Sequence, residues 1–332
     1  PLNGTGYIPV TRVLDESGFK NVTIVEEQRF PDGNFPTCPY PNPEEAEALA
    51  LGLVYCKKKN ADVLLATDPD CDRVGIAVKN KQEEYVLLSG NETGILLLDY
   101  ICSQREKHKK MPTKPVMFKT IVSLEMAEEI AKHYGVDSID VLTGFKFIGE
   151  QIGLLEKKNQ SNRFIFGFEE SYGYLSGDYV RDKDGVGASY LICEMIAYYK
   201  SKGIELWDKL QDLYRMYGYY LNTLHSYLFT GALGADKMKV TMQKVHDNLK
   251  EGGEFAGLKI TNIVDYSLGV DGLPKSKVLK ICMEGACSVI IRPSGTEPKL
   301  KLYFSVREEN YEKAKIKEQK FIENIDTFFE NS

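Results

Sequence analysis

Two short apolar runs, residues 61–66 and 74–78, leave only Thr67-Asp68-Pro69-Asp70-Cys71-Asp72-Arg73 between them, and no other feature constrains the chain as strongly. If the segment is extended, as Pro69 favours, aspartates at every second position project to one side. Carboxylates so close repel one another unless a positive group sits among them, and a hard divalent cation with oxygen ligands is the natural occupant. Asp68, Asp70 and Asp72 are therefore candidate ligands, and magnesium held by them would keep further positions for a substrate phosphate. A calcium-binding EF-hand also begins with alternating aspartates, but Arg73 stands at its turn glycine and Lys79 at its bidentate glutamate. An acidic solvated turn is the ordinary reading of clustered aspartates. The tight apolar flanks and the adjoining Arg73 weigh against it.

Around this segment the pattern is α/β. Strand-like runs at residues 22–25, 61–66, 74–78 and 85–88 alternate with helical stretches at 44–55 and 94–102, the second begun at Asn91 as N-cap. The lysine-rich residues 103–114 read as a linker. A second unit repeats the alternation, with strands at 116–121, ending at 142, and at 164–168, and helices at 124–134, 188–200 and 206–214. Beyond a boundary within 217–232 the order changes to a helix at 235–249, strands at 258–264, 278–283 and 288–292, and a charged helix from Asn310. The expected fold is two successive α/β units with mixed sheets followed by a smaller α+β C-terminal domain, divided at 1–115, 116–220 and 221–332.

With 332 residues, 43% of them hydrophobic, the chain is long enough for about two or three domains with cores of their own. The net charge of −6 leaves no global basic field, which argues against nucleic acid or an anionic membrane surface as partner. Seven cysteines without a C-x-x-C pair fit reduced thiols in a cytoplasmic protein better than a disulfide framework or a zinc site. The apolar runs are too short to span a bilayer. The four histidines are scattered through polar or helical surroundings and suggest no Ser/His/Asp arrangement. Pro1 opens directly on the glycine-rich turn Asn3-Gly4-Thr5-Gly6, with no strand to deliver the backbone into it, so the N-terminus reads as a cut.

Three further segments carry weaker signals. Arg292-Pro293-Ser294-Gly295-Thr296-Glu297-Pro298-Lys299 follows a strand and offers a guanidinium, hydroxyls and a glycine-softened turn, a combination that grips phosphate without a basic patch. Gly167-Phe168-Glu169-Glu170-Ser171-Tyr172-Gly173 puts two carboxylates and a hydroxyl at a strand end, suited to sugar hydroxyls. It is not a nucleophile elbow, because Glu169 stands where the first glycine belongs. Thr143-Gly144-Phe145-Lys146 caps another strand with a lysine, and the loop at 176–185 carries Arg181, Asp182, Lys183 and Asp184. Alone, the first reads more readily as an ordinary Pro-Ser-Gly turn, the second equally well as surface, and the charged loops as solvated.

Together and in this order, these segments resemble the α-D-phosphohexomutase family, over essentially the whole chain. Residues 3–6 resemble the opening of the family's second domain, residues 68–73 its magnesium loop, residues 169–173 the sugar loop of the third domain and residues 292–299 the phosphate loop of the fourth. The resemblance implies Mg²⁺ on Asp68, Asp70 and Asp72, and sugar hydroxyls on Glu169 and Ser171. It implies the non-reacting phosphate on Arg292, Ser294, Gly295 and Thr296. Arg73 adjoins the transferring group, and Lys146 and Lys183, with Thr143 and Gly144, lie near the substrate.

The family's first domain supplies a phosphoserine in a Ser-His loop, and no Ser-His pair occurs in this chain. The nucleophile is expected in an N-terminal domain of the same protein, and the chain by itself is expected to be inactive. The reaction implied for the intact enzyme is interconversion of glucose 1-phosphate and glucose 6-phosphate through glucose 1,6-bisphosphate. The Glu-Glu-Ser-Tyr-Gly form resembles glucose-specific members, while mannose/glucose enzymes show Glu-Met-Ser-Gly and glucosamine enzymes Glu-Gln-Ser-Gly. Broader phosphosugar specificity is the alternative within the class, and a non-catalytic phosphosugar-binding module the alternative outside it.

Overall fold

A computed structural model describes residues 1–229, 234–270, 272–294 and 298–330. The chain forms two compact units, Pro1–Leu213 and Tyr214–Ser332.

The first unit begins with α1 (Tyr7–Glu16) and α2 (Ala46–Lys59), which precede a three-stranded sheet of β1 (Val63–Thr67), β2 (Val74–Lys79) and β3 (Tyr85–Leu88) in that order. This sheet is wholly antiparallel, with Thr67 opposite Val74 and Ile76 opposite Leu88. A parallel pair needs a crossover of a dozen or more residues, and the six between β1 and β2 allow only a hairpin. Among the described residues, mixed pairing is found in the second sheet alone. The expected strand at 22–25 is not one: those residues join no ladder among the described residues.

α3 (Gly90–Lys107) extends further at both ends than the sequence suggests. Its N-cap is Ser89, not Asn91: Ser89 Oγ accepts from Glu92 N, and Glu92 Oε2 accepts from Ser89 N at 2.8 Å, a complete capping box. Asn91 Oδ1 instead accepts from Leu124 N. Residues 94–98 of α3 are buried all round, as expected of a helix enclosed by other elements. It packs against β6 (Phe164–Glu169) of the second sheet, whose order is β5 (Asp137–Val141), β4 (Val116–Thr120), β6 and β7 (Gly173–Leu175). The first three strands are parallel and β7 is antiparallel to β6. α4 (Met126–His133) and α5 (Phe145–Lys157) are the crossovers, so the C-terminal ends of β4, β5 and β6 lie together, where α/β sheets hold ligands. α6 (Gly185–Lys200) and α7 (Leu206–Tyr217) follow, and the boundary between the units falls within α7.

The second unit is α+β. Its six-stranded antiparallel sheet runs β8 (Tyr219–Leu228), β13 (Lys299–Glu308), β12 (Cys287–Pro293), β11 (Leu279–Met283), β10 (Leu258–Asp265) and β9 (Glu254–Phe255). Its core includes Val289, Leu302 and Phe304 from the sheet, with Val245 from α8 (Gly234–Asn248) and Phe321 from α9 (Tyr311–Glu330). The long strands β8 and β13 are not among those expected. Among the described residues no helix is long and apolar enough to cross a membrane.

Gly94 is where α3 meets β6: a Cβ there would lie 2.4 Å from Cδ2 of Phe168. Alanine would gain up to about 1 kcal/mol of helix propensity but overpack a rigid ring at a cost of about 1–3 kcal/mol. Urea denaturation of Gly94→Ala should therefore show a lower midpoint; a higher one would mean that the interface yields.

Candidate active site

Residues 68–73 close the β1–β2 hairpin as a turn, not as the extended segment expected. Cys71 N donates to Asp68 O at 3.0 Å, and Cys71 itself has φ 62°, a left-handed conformation unusual for a residue with a Cβ. The turn, not strand alternation, gathers the three carboxylates: Asp68, Asp70 and Asp72 offer oxygens within 4.8 Å of one another. Three hard oxygen donors so placed fit a divalent cation such as Mg²⁺.

The three aspartates have different surroundings. Asp68 is buried; its Oδ1 accepts from the amides of Asp72 and Arg73 at 3.1 and 3.0 Å, and its Oδ2 accepts from Arg73 Nε at 2.6 Å. Asp70 is exposed. Asp72 is half-buried, and its Oδ2 lies 2.7 Å from Lys183 Nζ. Burial, opposed by Lys183, raises its pKa. Burial also pushes the Cys71 thiol up to about 11, so it is no nucleophile at neutral pH. Arg73 Nη1 donates to Asn42 Oδ1 and Glu44 Oε1, each at 3.2 Å, from the segment leading into α2. Sequence reasoning misses both partners, because Asn42-Pro43-Glu44 looks like an ordinary helix start.

The turn is also held from outside. Thr5 donates to Pro69 O through both its amide, at 2.8 Å, and its hydroxyl, at 3.1 Å. A Cβ on Gly4 would lie 2.4 Å from Pro69 Cα, so residues 3–6 support the acidic turn and Gly4 lets the backbones approach. On the other side Gly185 N donates to Cys71 O, and Val74 N donates to Tyr172 O at 3.1 Å. The acidic turn is thereby joined to the loop that follows β6.

Glu169 ends β6 and is buried. Burial and the adjacent Glu170 raise its pKa to about 7 against the pull of Lys183 and a hydrogen bond from Ser171. Glu170 turns the other way, and its Oε2 accepts from Thr120 Oγ1 at 2.8 Å, at the end of β4. Lys183 Nζ is 4.0 Å from Glu169 and 2.7 Å from Asp72, linking the carboxylate at the end of β6 to the acidic turn. The following residue, Asp184, caps α6 by accepting from the amides of Val186 and Gly187, which fixes the end of the lysine loop.

The structure thus brings together Asp68, Asp70, Asp72, Arg73, Glu169, Ser171 and Lys183. Thr143 and Gly144 follow β5 at the same side of the sheet, with Gly144 at the N-cap of α5. Lys146 is exposed, and its Nζ lies 5.0 Å above the Phe147 ring instead of joining the cluster. Arg292 and Ser294 belong to the second unit, at the β12–β13 hairpin, where Ser294 N donates to Lys299 O. Gly295 and Thr296 lie outside the described residues.

Two results are expected from these environments. Asp70→Asn should weaken Mn²⁺ or Mg²⁺ binding in calorimetry while leaving the urea midpoint unchanged, whereas Asp68→Asn should lose both binding and about 1.5–3 kcal/mol of stability through its charged hydrogen bonds. Equal stability losses would mean that the two carboxylates are equivalent. For Glu169 the sign follows from its raised pKa: between 4.5 and about 7 the folded chain keeps a proton that the unfolded chain has released. Stability should fall as pH rises through that window, by roughly 3 kcal/mol in all, and Glu169→Gln should flatten this part of the profile measured by urea denaturation.

Comparison with known proteins gives a consistent answer. Three domains of one family match in order: Phosphoglucomutase/phosphomannomutase alpha/beta/alpha domain II at residues 1–81, alpha/beta/alpha domain III at 89–217 and the C-terminal domain at 243–321. A phosphoglucomutase of Staphylococcus aureus is 36% identical over 322 residues, covering 94% of this chain and 56% of the relative. One from Staphylococcus haemolyticus is 34% identical, with 94% and 57% covered. The chain therefore spans little more than half the length of these relatives. A crystal structure of a phosphoglucomutase/phosphomannomutase family protein from Burkholderia thailandensis has the same fold, with a TM-score of 0.70 at 16% identity, covering 98% of this chain and 59% of that one. With three domains of one family matched in order and relatives 34–36% identical over 94% of its length, the chain belongs to the phosphoglucomutase/phosphomannomutase family.

Proposed function

We propose that this chain is the metal- and sugar-handling part of a cytoplasmic phosphoglucomutase that interconverts glucose 1-phosphate and glucose 6-phosphate. The observation that carries this reading is Lys183, which joins Asp72 of the acidic turn to Glu169 of the sugar loop, so that groups suited to the two ends of one small ligand lie side by side. The names of the relatives at 34–36% identity support glucose as the sugar. The chain divides functionally into residues 1–115 with the acidic turn, 116–220 with the sugar loop and 221–332 with the phosphate loop.

Asp68, Asp70 and Asp72 would hold Mg²⁺, which supplies charge neutralisation on the transferring phosphoryl group. Arg73, fixed by Asp68, Asn42 and Glu44, presents the rest of its guanidinium to the same phosphoryl oxygens. Glu169 and Ser171 bond the sugar hydroxyls, with Thr143, Gly144 and Lys146 lining the approach. Lys183 balances Glu169 and the phosphoryl charge. Arg292, Ser294, Gly295 and Thr296 hold the phosphate that is not reacting. The phosphoryl donor is a phosphoserine in an N-terminal domain outside this sequence. Its P–O bond breaks as a sugar hydroxyl forms the new one and loses its proton, giving glucose 1,6-bisphosphate; the bisphosphate turns over and returns its other phosphoryl group to the serine.

In a coupled assay with glucose 1-phosphate and catalytic bisphosphate, the product of the whole reading frame should turn over and this chain alone should not. In the whole enzyme, Arg292→Ala should lower kcat/KM for glucose and mannose 1-phosphates alike, by about 10- to 100-fold for a lost charged contact of 1.5–3 kcal/mol. Glu169→Gln should lower the glucose value selectively, because hydroxyl orientation differs between the hexoses. Turnover by the purified chain alone would refute the division of labour between this chain and the serine.

A further inference from the structure

One carboxylate of the Glu-Glu pair at the end of β6, that of Glu170, has no part in the proposed chemistry. Glu169 is the last residue of the strand and pairs with Gly173, so residues 170–172 form a three-residue hairpin loop between β6 and β7. Tyr172 closes it with φ 66°, the left-handed third position usual in such loops. Glycine adopts that conformation freely, whereas a buried tyrosine keeps it only when its surroundings fix it.

The surroundings hold the loop closely. A Cβ on Gly90, at the start of α3, would lie 2.7 Å from Tyr172 N and closer still to Glu170 O, so the loop backbone rests on that helix end. Tyr174 Oη donates to Gly90 O at 3.1 Å. Asn91, through its bond from Leu124 N, joins the same helix end to the segment after β4.

Glu170 enters this seam from the side. Its Oε2 accepts from Thr120 Oγ1 at 2.8 Å, and the hydroxyls of Thr120 and Ser123 are 2.9 Å apart. Thr120 is 0% exposed and Ser123 2%. A carboxylate only accepts, so the Thr120 proton goes to Glu170 and Ser123 donates to Thr120. The result is a buried donor chain that ends on Glu170, and breaking it leaves a buried hydroxyl unsatisfied. Glu169, one residue earlier, faces Lys183 instead. Adjacent carboxylates repel, and the Thr120 bond draws the second of them towards β4.

We propose that Glu170 is a specificity-determining positioning residue: anchored on Thr120 and Ser123, it sets the direction of the backbone that carries Glu169 and Ser171, and it does so without touching the sugar. The inference rests on the reading of Glu169 and Ser171 as the partners of the sugar hydroxyls. Hexoses differ in the orientation of single hydroxyls, so a carboxylate discriminates among them only when its own direction is held. An unanchored Glu170 would place a second, mobile acceptor beside the first and so accommodate either orientation.

Calorimetry on the 332-residue chain tests this, with glucose 6-phosphate and mannose 6-phosphate as probes. Thr120→Val keeps the shape of the side chain and removes the donor, Glu170→Leu removes the acceptor, and Glu170→Gln keeps an acceptor oxygen. The preference for the glucose phosphate should fall at least fivefold in Thr120→Val and in Glu170→Leu, no further in the double variant, and less than twofold in Glu170→Gln. Ser123→Ala, which removes the support behind Thr120 and should lower the preference in the same direction, replaces Thr120→Val if that variant does not fold. A lower thermal midpoint with an unchanged preference, the result of a merely structural anchor, would overturn the proposal. So would equal losses in Glu170→Leu and Glu170→Gln, which would assign the effect to charge. A wild-type chain that binds the two phosphates alike also overturns it and leaves the mutase reading intact, since that reading needs only glucose phosphate to bind. A chain that binds neither counts against the sugar reading, and the anchoring is then decided in amide spectra of the unliganded chain: the Glu169 and Ser171 signals should move in Thr120→Val, and unmoved signals sink the proposal.

Discussion

The buried carboxylate of Asp68 closes the β1–β2 turn from within. Its two oxygens accept from two backbone amides and one guanidinium nitrogen, all supplied by Asp72 and Arg73. A buried charge is tolerated only when it is paired and hydrogen-bonded, and here the pairing also determines geometry. It places Asp70 and Asp72 beside Asp68, aims Arg73 at Asn42 and Glu44, and fixes the carbonyl of Cys71 that Gly185 bonds. A Cβ on Gly185 would come within 2.6 Å of that carbonyl, so the start of α6 rests directly on the turn.

From the turn the organisation spreads through short, specific links. Val74 to Tyr172 connects the antiparallel sheet to the loop after β6, and Lys183 connects Asp72 to Glu169. The cost of these links is visible in Glu169, whose carboxyl is buried deeply enough to titrate near 7. Held partly neutral at physiological pH, that carboxyl repels the neighbouring Glu170 and Asp72 less than a full carboxylate would. The loop after β6 and the acidic turn thus belong to one electrostatic unit although about a hundred residues separate them in sequence.

Much of the alternation of elements is legible in the chain because apolar periodicity reports burial directly, as at β2, β3 and β6. The failures have physical causes. Residues 22–25 have strand composition without a strand partner, and a strand exists only through its ladder. Asn91 looks like the cap of α3, but Ser89 with Glu92 satisfies two orphan groups at once and prevails, leaving Asn91 to tie α3 to the start of α4. β8 and β13 alternate polar and apolar residues, as half-buried strands do, so neither forms the nearly unbroken apolar run seen at β2 or β6.

Within the site, the sequence alone determined the residue types on offer, three clustered carboxylates at 68, 70 and 72, and the order of the motifs that points to one family. It could not determine which carboxylate is structural and which is free. That depends on burial, and burial is a property of the packed turn: Asp68 became the keystone and Asp70 the exposed carboxylate through hydrogen bonds to backbone amides that no side-chain pattern encodes. Nor could it show Lys183 between Asp72 and Glu169, or Glu170 turned away to Thr120, because these contacts join segments brought together only when the two sheets pack around α3. Residue type was written locally, whereas the role of each residue was decided by neighbours distant in sequence, since charge, solvation and hydrogen-bond geometry are set by the folded surroundings.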